Sequence, residues 1–179
     1  MKIALDVDGV LADVIKSWLK YSNSVRPKIS KHEITEWDFW KKFQINRFDF
    51  YNELSSCWKN WNSIPPTEEN LSSVTKNLSD LGQVDIVTAR ERSTDSFVKS
   101  WLDHHDISYD NYVSVIDGTM KADLDYDVFI DDSPLNAQKF LKQNKKVFLY
   151  SQPWNKHISN EQIHRVSNLL ETIKKIKQN

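Results

Sequence analysis

Apolar positions along the chain switch between two spacings. Residues 2–7, Lys-Ile-Ala-Leu-Asp-Val, form a short apolar run that ends in acid, the pattern of a buried strand. From Leu11 to Tyr21 the apolar positions Leu11, Val14, Ile15, Trp18 and Leu19 recur at helical spacing. Residues 22–66 hold many aromatics among polar residues, show no alternation, and read as short helices and turns closed by Pro65-Pro66. Thr67, followed by Glu68 and Glu69, reads as a helix start, with Leu71, Val74, Leu78 and Leu81 as its inner face and Gly82 as its stop. Further strands are predicted at 84–88, 112–116, 126–130 and 146–150. Further helices are predicted at 93–105, 134–143 and 162–177. Short apolar strands alternating with helices predict an α/β fold around an open, mostly parallel sheet.

Composition narrows the class. The chain has 179 residues, a net charge of −1 and 12% aromatics, which excludes a fully disordered chain and disfavours a nucleic-acid binder. No apolar run reaches the ~18 residues of a membrane span. Acids appear as early as Asp6, so no secretory leader is expected. The single cysteine, Cys57, forbids an intrachain disulfide and points to a reducing cytoplasm. Three glycines rule out glycine-rich phosphate loops, so any phosphate chemistry needs another device. Five of the seven tryptophans fall between Trp18 and Trp61.

Ligands of parallel α/β sheets bind beyond the carboxyl ends of the strands. The predicted strands deliver Asp6 and Asp8, then Thr88, Ala89 and Arg90, then Asp131 and Asp132, with Lys121 in the segment between. Carboxylates crowded together repel, and a hard divalent cation with oxygen ligands, Mg²⁺, relieves this. A carboxylate such as Asp6 can then attack phosphorus, with Lys121 and Thr88 holding the phosphoryl oxygens. Gly9 lets the backbone turn after Asp8, whose carbonyl can face the metal while its carboxyl serves as acid and base at the leaving group. Arg90 suits either a phosphate contact or pairing with an acid. The cap-region aromatics suit core packing as well as base stacking.

Asp6-Val-Asp-Gly-Val-Leu-Ala-Asp13 resembles the first motif of the haloacid dehalogenase-like (HAD) phosphatases. Val87-Thr-Ala-Arg90 resembles the second, and Lys121 with Ile130-Asp-Asp-Ser-Pro134 the third and fourth. Together with Phe148-Leu-Tyr-Ser-Gln-Pro-Trp-Asn155, these are similar to the 5′(3′)-deoxyribonucleotidases within that superfamily. The resemblance implies a Rossmann-like core (1–13 plus 67–179) with a small α-helical cap (14–66) inserted after the first strand. It implies Asp6 as nucleophile, Asp8 as acid/base, and Mg²⁺ held by Asp6, the Asp8 carbonyl and one late aspartate, Asp132 before Asp131. Gly9, Val14, Trp37, Phe39, Trp40, Ala89 and Arg90 would then contact substrate.

The expected reaction is Mg²⁺-dependent hydrolysis of a phosphomonoester through an aspartyl phosphate, with a (deoxy)nucleoside monophosphate as substrate. The alternatives are a sugar phosphate, a nucleic-acid 3′-phosphate end, or a non-catalytic binding module. Neither membrane nor nucleic acid is an expected partner, and a homodimer is left open. Asp103-His-His-Asp106 is similar to a signature of other metal phosphoesterases, but it lies at a helix end without further acids and reads as surface.

Overall fold

The computed structural model describes residues 1–178. Six strands, β1 (Lys2–Leu5), β2 (Gln83–Thr88), β3 (Asn111–Ser114), β4 (Val128–Asp131), β5 (Lys146–Tyr150) and β6 (His164–Val166), form one sheet. The order is β3-β2-β1-β4-β5-β6, and every pairing is parallel. The chain lays strands to one side of β1, then crosses to β4 on the other side. That reversal opens a crevice at the carboxyl ends of β1 and β4.

Both sheet faces are covered, which explains why the central strands read as unbroken apolar runs. On one face Ile3, Leu5, Ile86 and Ile130 join the large core with helices α3 (Leu71–Ser79), α4 (Asp95–His104) and α6 (Leu169–Gln178). On the other, Ala4, Val87, Phe129 and Val147 meet α5 (Pro134–Lys142), where Phe129 stacks on Phe140 at 4.1 Å. Helix α5 starts where its sequence demands: Ser133 caps Asn136 N, and Pro134 occupies the first turn.

Between β1 and β2 the chain runs through α1 (Val14–Val25), capped by Asp13, and α2 (Arg47–Lys59), capped by Asn46. Three 3₁₀ turns accompany them, at Lys31–Glu33, Phe39–Lys41 and Trp61–Ser63. This insertion shares one continuous hydrophobic core with the sheet. Trp18 meets Phe39 and Phe50 edge-on at 5.5 and 5.3 Å, and Trp40 stacks on Phe50 at 4.6 Å. Cys57 is a buried free thiol in this core.

Some predicted elements differ from the structure. The helix expected to start at Thr67 starts at Leu71, after Asn70 at φ +62°. Thr67 N instead donates to Leu11 O at 2.8 Å, and Glu68 accepts from Leu169 N at 2.9 Å, so tertiary bonds hold this stretch in bends and a turn ahead of the helix. The C-terminal helix expected over 162–177 divides into β6 and α6. His164–Val166 pair with Phe148–Tyr150 at the sheet edge, and Asn168 caps the helix that follows through Glu171 N. Finally, α2 is a thirteen-residue helix where short pieces were expected. Its inner face is Phe50, Leu54, Cys57 and Trp58, and exposed Phe48 masks that stripe in the sequence. No helix among the described residues is long and apolar enough to cross a membrane.

Candidate active site

Asp6 is the first residue beyond β1, and its N–H donates to Ile130 O of β4 at 3.0 Å. That bond aligns the ends of the two central strands and sets Asp6 beside Asp131 and Asp132. Carboxylate oxygens of these three buried acids lie within 4.8 Å of one another, close enough to hold a metal ion. The Lys121 ammonium, 2% exposed, sits between two of them, 2.8 Å from Asp6 Oδ2 and 2.9 Å from Asp131 Oδ2. It comes from a 3₁₀ segment, Gly118–Asp123, packed against α5.

One buried cation among three buried acids leaves negative charge uncompensated. Burial pushes the Asp6 carboxyl up to about 7, against the pull of Lys121. Burial also raises Asp132 well above the carboxylate range, and Asp131 and Asp6 add to the effect. For Lys121, burial opposes the charge, but Asp131 and Asp6 outweigh it and hold the ammonium above its ordinary range.

The two late aspartates have different surroundings. Asp131 accepts from Lys121 Nζ, from Ser133 N at 2.8 Å and from Asn136 Nδ2 at 3.0 Å, so both its oxygens are engaged. Asp132 Oδ2 accepts from Trp154 Nε1 at 2.8 Å, and the carboxylate faces the cavity. Gly9 packs beside it at φ +77°, and a Cβ there would come within 2.6 Å of Asp132 Cγ. Glycine is required at this position for both conformation and space.

Asp8 lies one turn of chain farther on. Its Oδ1 accepts from Trp58 Nε1 at 3.0 Å and its Oδ2 from Arg90 Nη1 at 2.6 Å. Arg90 is 6% exposed, so of the two readings open to it, pairing with an acid is the one the structure displays.

A cavity of about 1010 Å³ opens at this point. Asp6, Asp8, Gly9, Thr88, Ala89, Arg90, Lys121 and Asp132 line its floor, while Asp131 lies behind them. Val14, Trp37, Phe39 and Trp40 line the insertion side. The lining also includes Phe50, Tyr51, Leu54 and Ser55 of α2, and Trp154, none of which sequence reasoning assigned a place in the site. Trp154 carried a usable signal, since it lies in the Phe148–Asn155 stretch. The α2 residues carried none beyond their aromatic character. Trp40 is 5% exposed and its ring is stacked on Phe50, so most of its face is already used. Asp103-His-His-Asp106 closes α4 away from this cavity, where His105 lies tilted against Trp101.

The family model described as 5′ nucleotidase, deoxy (pyrimidine), cytosolic type C protein matches residues 1–178. The chain belongs to this nucleotidase family. It is 29% identical to a nucleotidase of Clostridium acetobutylicum over 94% of this chain and 89% of that one. It is also 29% identical to the 5′(3′)-deoxyribonucleotidase of Bacillus subtilis, over 87% of both chains. Solved HAD structures share the fold of this nucleotidase-family chain. A haloacid dehalogenase-like hydrolase from Streptococcus pneumoniae superposes with a TM-score of 0.67 at 13% identity, over 98% of this chain and 97% of that one. A HAD-superfamily hydrolase from Geobacter sulfurreducens superposes at 0.59 with 16% identity, covering 97% of each. The chain is a phosphatase of the nucleotidase type, acting on small phosphoesters.

Proposed function

We propose that this nucleotidase-family chain hydrolyses the phosphomonoester of a (deoxy)nucleoside monophosphate, with Asp6 as nucleophile and Asp8 as acid and base. The observation that carries the reading is the convergence of Asp6, Lys121 and Asp132, with Asp131 behind them, on the floor of a cavity whose opposite wall is apolar and aromatic. A charged floor suits a phosphate, and an aromatic wall suits a nucleobase.

The residues fit Mg²⁺. The donor set is all oxygen, the acids are buried, and the one ammonium between them leaves negative charge for a hard cation to balance. Asp6, the Asp8 carbonyl and Asp132 would hold it, with Asp131 committed to Lys121, Ser133 and Asn136. When bound, the ion neutralises phosphoryl charge and lets a phosphate approach these acids.

The remaining steps belong to side chains. An Asp6 carboxylate oxygen attacks phosphorus, and a P–O bond forms as the ester P–O bond breaks. Asp8 gives its proton to the leaving alkoxide. Lys121 and the Thr88 hydroxyl hold the phosphoryl oxygens as charge shifts onto them. Asp8 then takes a proton from water, the water oxygen attacks the aspartyl phosphate, and phosphate leaves as Asp6 is restored. The insertion at 14–66 acts as the cap that excludes bulk water and seats the nucleoside, with Val14, Trp37, Phe39 and Trp40 among its contacts. A reducing cytoplasm suits a chain whose one cysteine is a free thiol.

Phosphate release across a panel of nucleoside monophosphates and sugar phosphates, with and without EDTA, tests the reading. Turnover is expected to favour nucleotides, to stop in EDTA and to return with Mg²⁺. Preference for a sugar phosphate would overturn the substrate, and activity retained by Asp6→Asn would overturn the nucleophile.

A further inference from the structure

A carboxyl group can deliver a proton only if it is turned toward the acceptor. An aspartate side chain rotates about two bonds, so something must hold it. Both oxygens of Asp8 are held, by donors of different kinds. Arg90, a cation on the strand side, takes Oδ2. Trp58, a neutral indole from helix α2 of the insertion, takes Oδ1 at 3.0 Å.

The indole is itself fixed. Trp58 is fully buried, and its ring meets Trp101 of α4 edge-on at 6.3 Å and 80°. Trp101 spends its own N–H on Ile64 O at 2.8 Å, so it serves as a wall for Trp58 and no partner for Asp8. One turn earlier on α2, the Ser55 hydroxyl accepts from Arg90 Nη2 at 3.5 Å, so the same helix carries one group that holds Asp8 and touches the other.

The two donors cannot have the same effect. An arginine favours the carboxylate over the carboxylic acid. A neutral N–H holds the carboxyl plane with far less bias against protonation, and it occupies only one of roughly four lone-pair sites. Trp58 thus fixes the carboxyl plane while the lone pairs that neither donor uses face a cavity where Asp8 keeps 27% of its side chain exposed.

We propose that Trp58 is a positioning residue for Asp8, through which the insertion that walls the substrate cavity also sets the geometry of proton transfer. The proposal rests on the acid/base reading of Asp8, and its test separates the two.

The test compares two leaving groups. A nucleoside alkoxide needs a proton to depart, whereas p-nitrophenolate leaves without one. The kcat/KM value reports the phosphoryl transfer to Asp6, before the water step. Trp58→Phe keeps an aromatic ring in the buried position, smaller than the indole, and removes the N–H. It is expected to lower kcat/KM for a nucleoside monophosphate about 10-fold, a part of what general acids contribute, and for p-nitrophenyl phosphate less than about 2-fold. Equal losses on both substrates with Trp58→Phe, or no loss, would overturn the positioning role. Absence of a leaving-group split in Asp8→Asn would instead overturn the acid/base reading.

A second readout does not depend on the folding of Trp58→Phe. The chain has seven indole N–H groups. In ¹⁵N-labelled protein, one indole resonance far from the random-coil position is expected to move upfield in Asp8→Ala, which removes the acceptor. If no indole signal moves, the Trp58–Asp8 hydrogen bond is absent and the proposal fails.

Discussion

Replacing Gly9 by alanine perturbs the site through one methyl group. The added Cβ would lie 2.6 Å from Asp132 Cγ and 3.2 Å from Trp154 Cζ2. Ordinary carbon contacts are about 3.5–4.0 Å, so Asp132 must retreat by about 1 Å or the turn must open. Neither group yields easily. Asp132 is buried and bonded to Trp154 Nε1, and the Asp132 carbonyl accepts from Asn155 Nδ2 at 2.8 Å. The backbone at Gly9, φ +77°, adds about 1–2 kcal/mol for any residue with a Cβ. Loss of the Trp154 bond to a buried carboxylate adds about 1–3 kcal/mol. The expected loss of stability is therefore about 2–5 kcal/mol, read as a lower urea midpoint. A displacement of about 1 Å in a group that positions the reaction costs on the order of 10²-fold in rate. Phosphate release measured with saturating Mg²⁺ should fall by at least that factor. A Gly9→Ala protein within about 2-fold of the parent in rate would refute the reasoning, because Asp132 would then have no fixed place to keep.

Three further outcomes are expected. Lys121→Met preserves the shape of the side chain but strands Asp6 and Asp131, so urea denaturation should show a loss of about 3–5 kcal/mol, and turnover should fall on the order of 10²-fold. An unchanged urea midpoint would show that the buried acids do not depend on the ammonium. The folded pKa of Asp6, raised to about 7, and the raised pKa of Asp132 give a pH dependence of definite sign. The folded protein binds these protons more tightly than the unfolded chain, so in EDTA the extra stability is full below about pH 4 and is lost as pH rises through about 7. Melting curves from pH 4 to 8 should show this decline, and Mg²⁺ should flatten it; stability that rises over the same range in EDTA would contradict it. Trp37→Ala removes a half-buried ring from the cavity wall, and stacking is worth about 1–3 kcal/mol, so KM for a nucleoside monophosphate should rise about 5-fold or more with kcat little changed. Equal KM changes for a simple alkyl phosphate would remove Trp37 from the base seat.

The alternation of apolar strands and helices was enough to read a mostly parallel sheet and the acids at its carboxyl edge, but not its sixth strand. Strand runs, helical stripes and Gly9 are local features, and each records its own backbone requirement within a few residues. The C-terminal segment shows where local reading stops. His164–Val166 is too short to display a period of two, and only pairing with Phe148–Tyr150 makes it a strand. Thr67 and Glu68 look like a helix start, but bonds to Leu11 and Leu169 lie beyond any sequence window.

The site divides in the same way. Residue type and strand position were sufficient to nominate Asp6, Asp8, Thr88, Lys121, Asp131 and Asp132. Which neighbour each acid has was decided only in three dimensions. Lys121 is ten residues from Asp131 in sequence, yet it bonds both that acid and Asp6 because a 3₁₀ segment carries it over the strand ends. Trp58 is fifty residues from Asp8 and reaches it because α2 packs down on α4. An aromatic residue reads the same in sequence whether its ring fills a core or its N–H holds a catalytic acid. Burial rewards both uses equally, and only the direction of one N–H bond tells them apart.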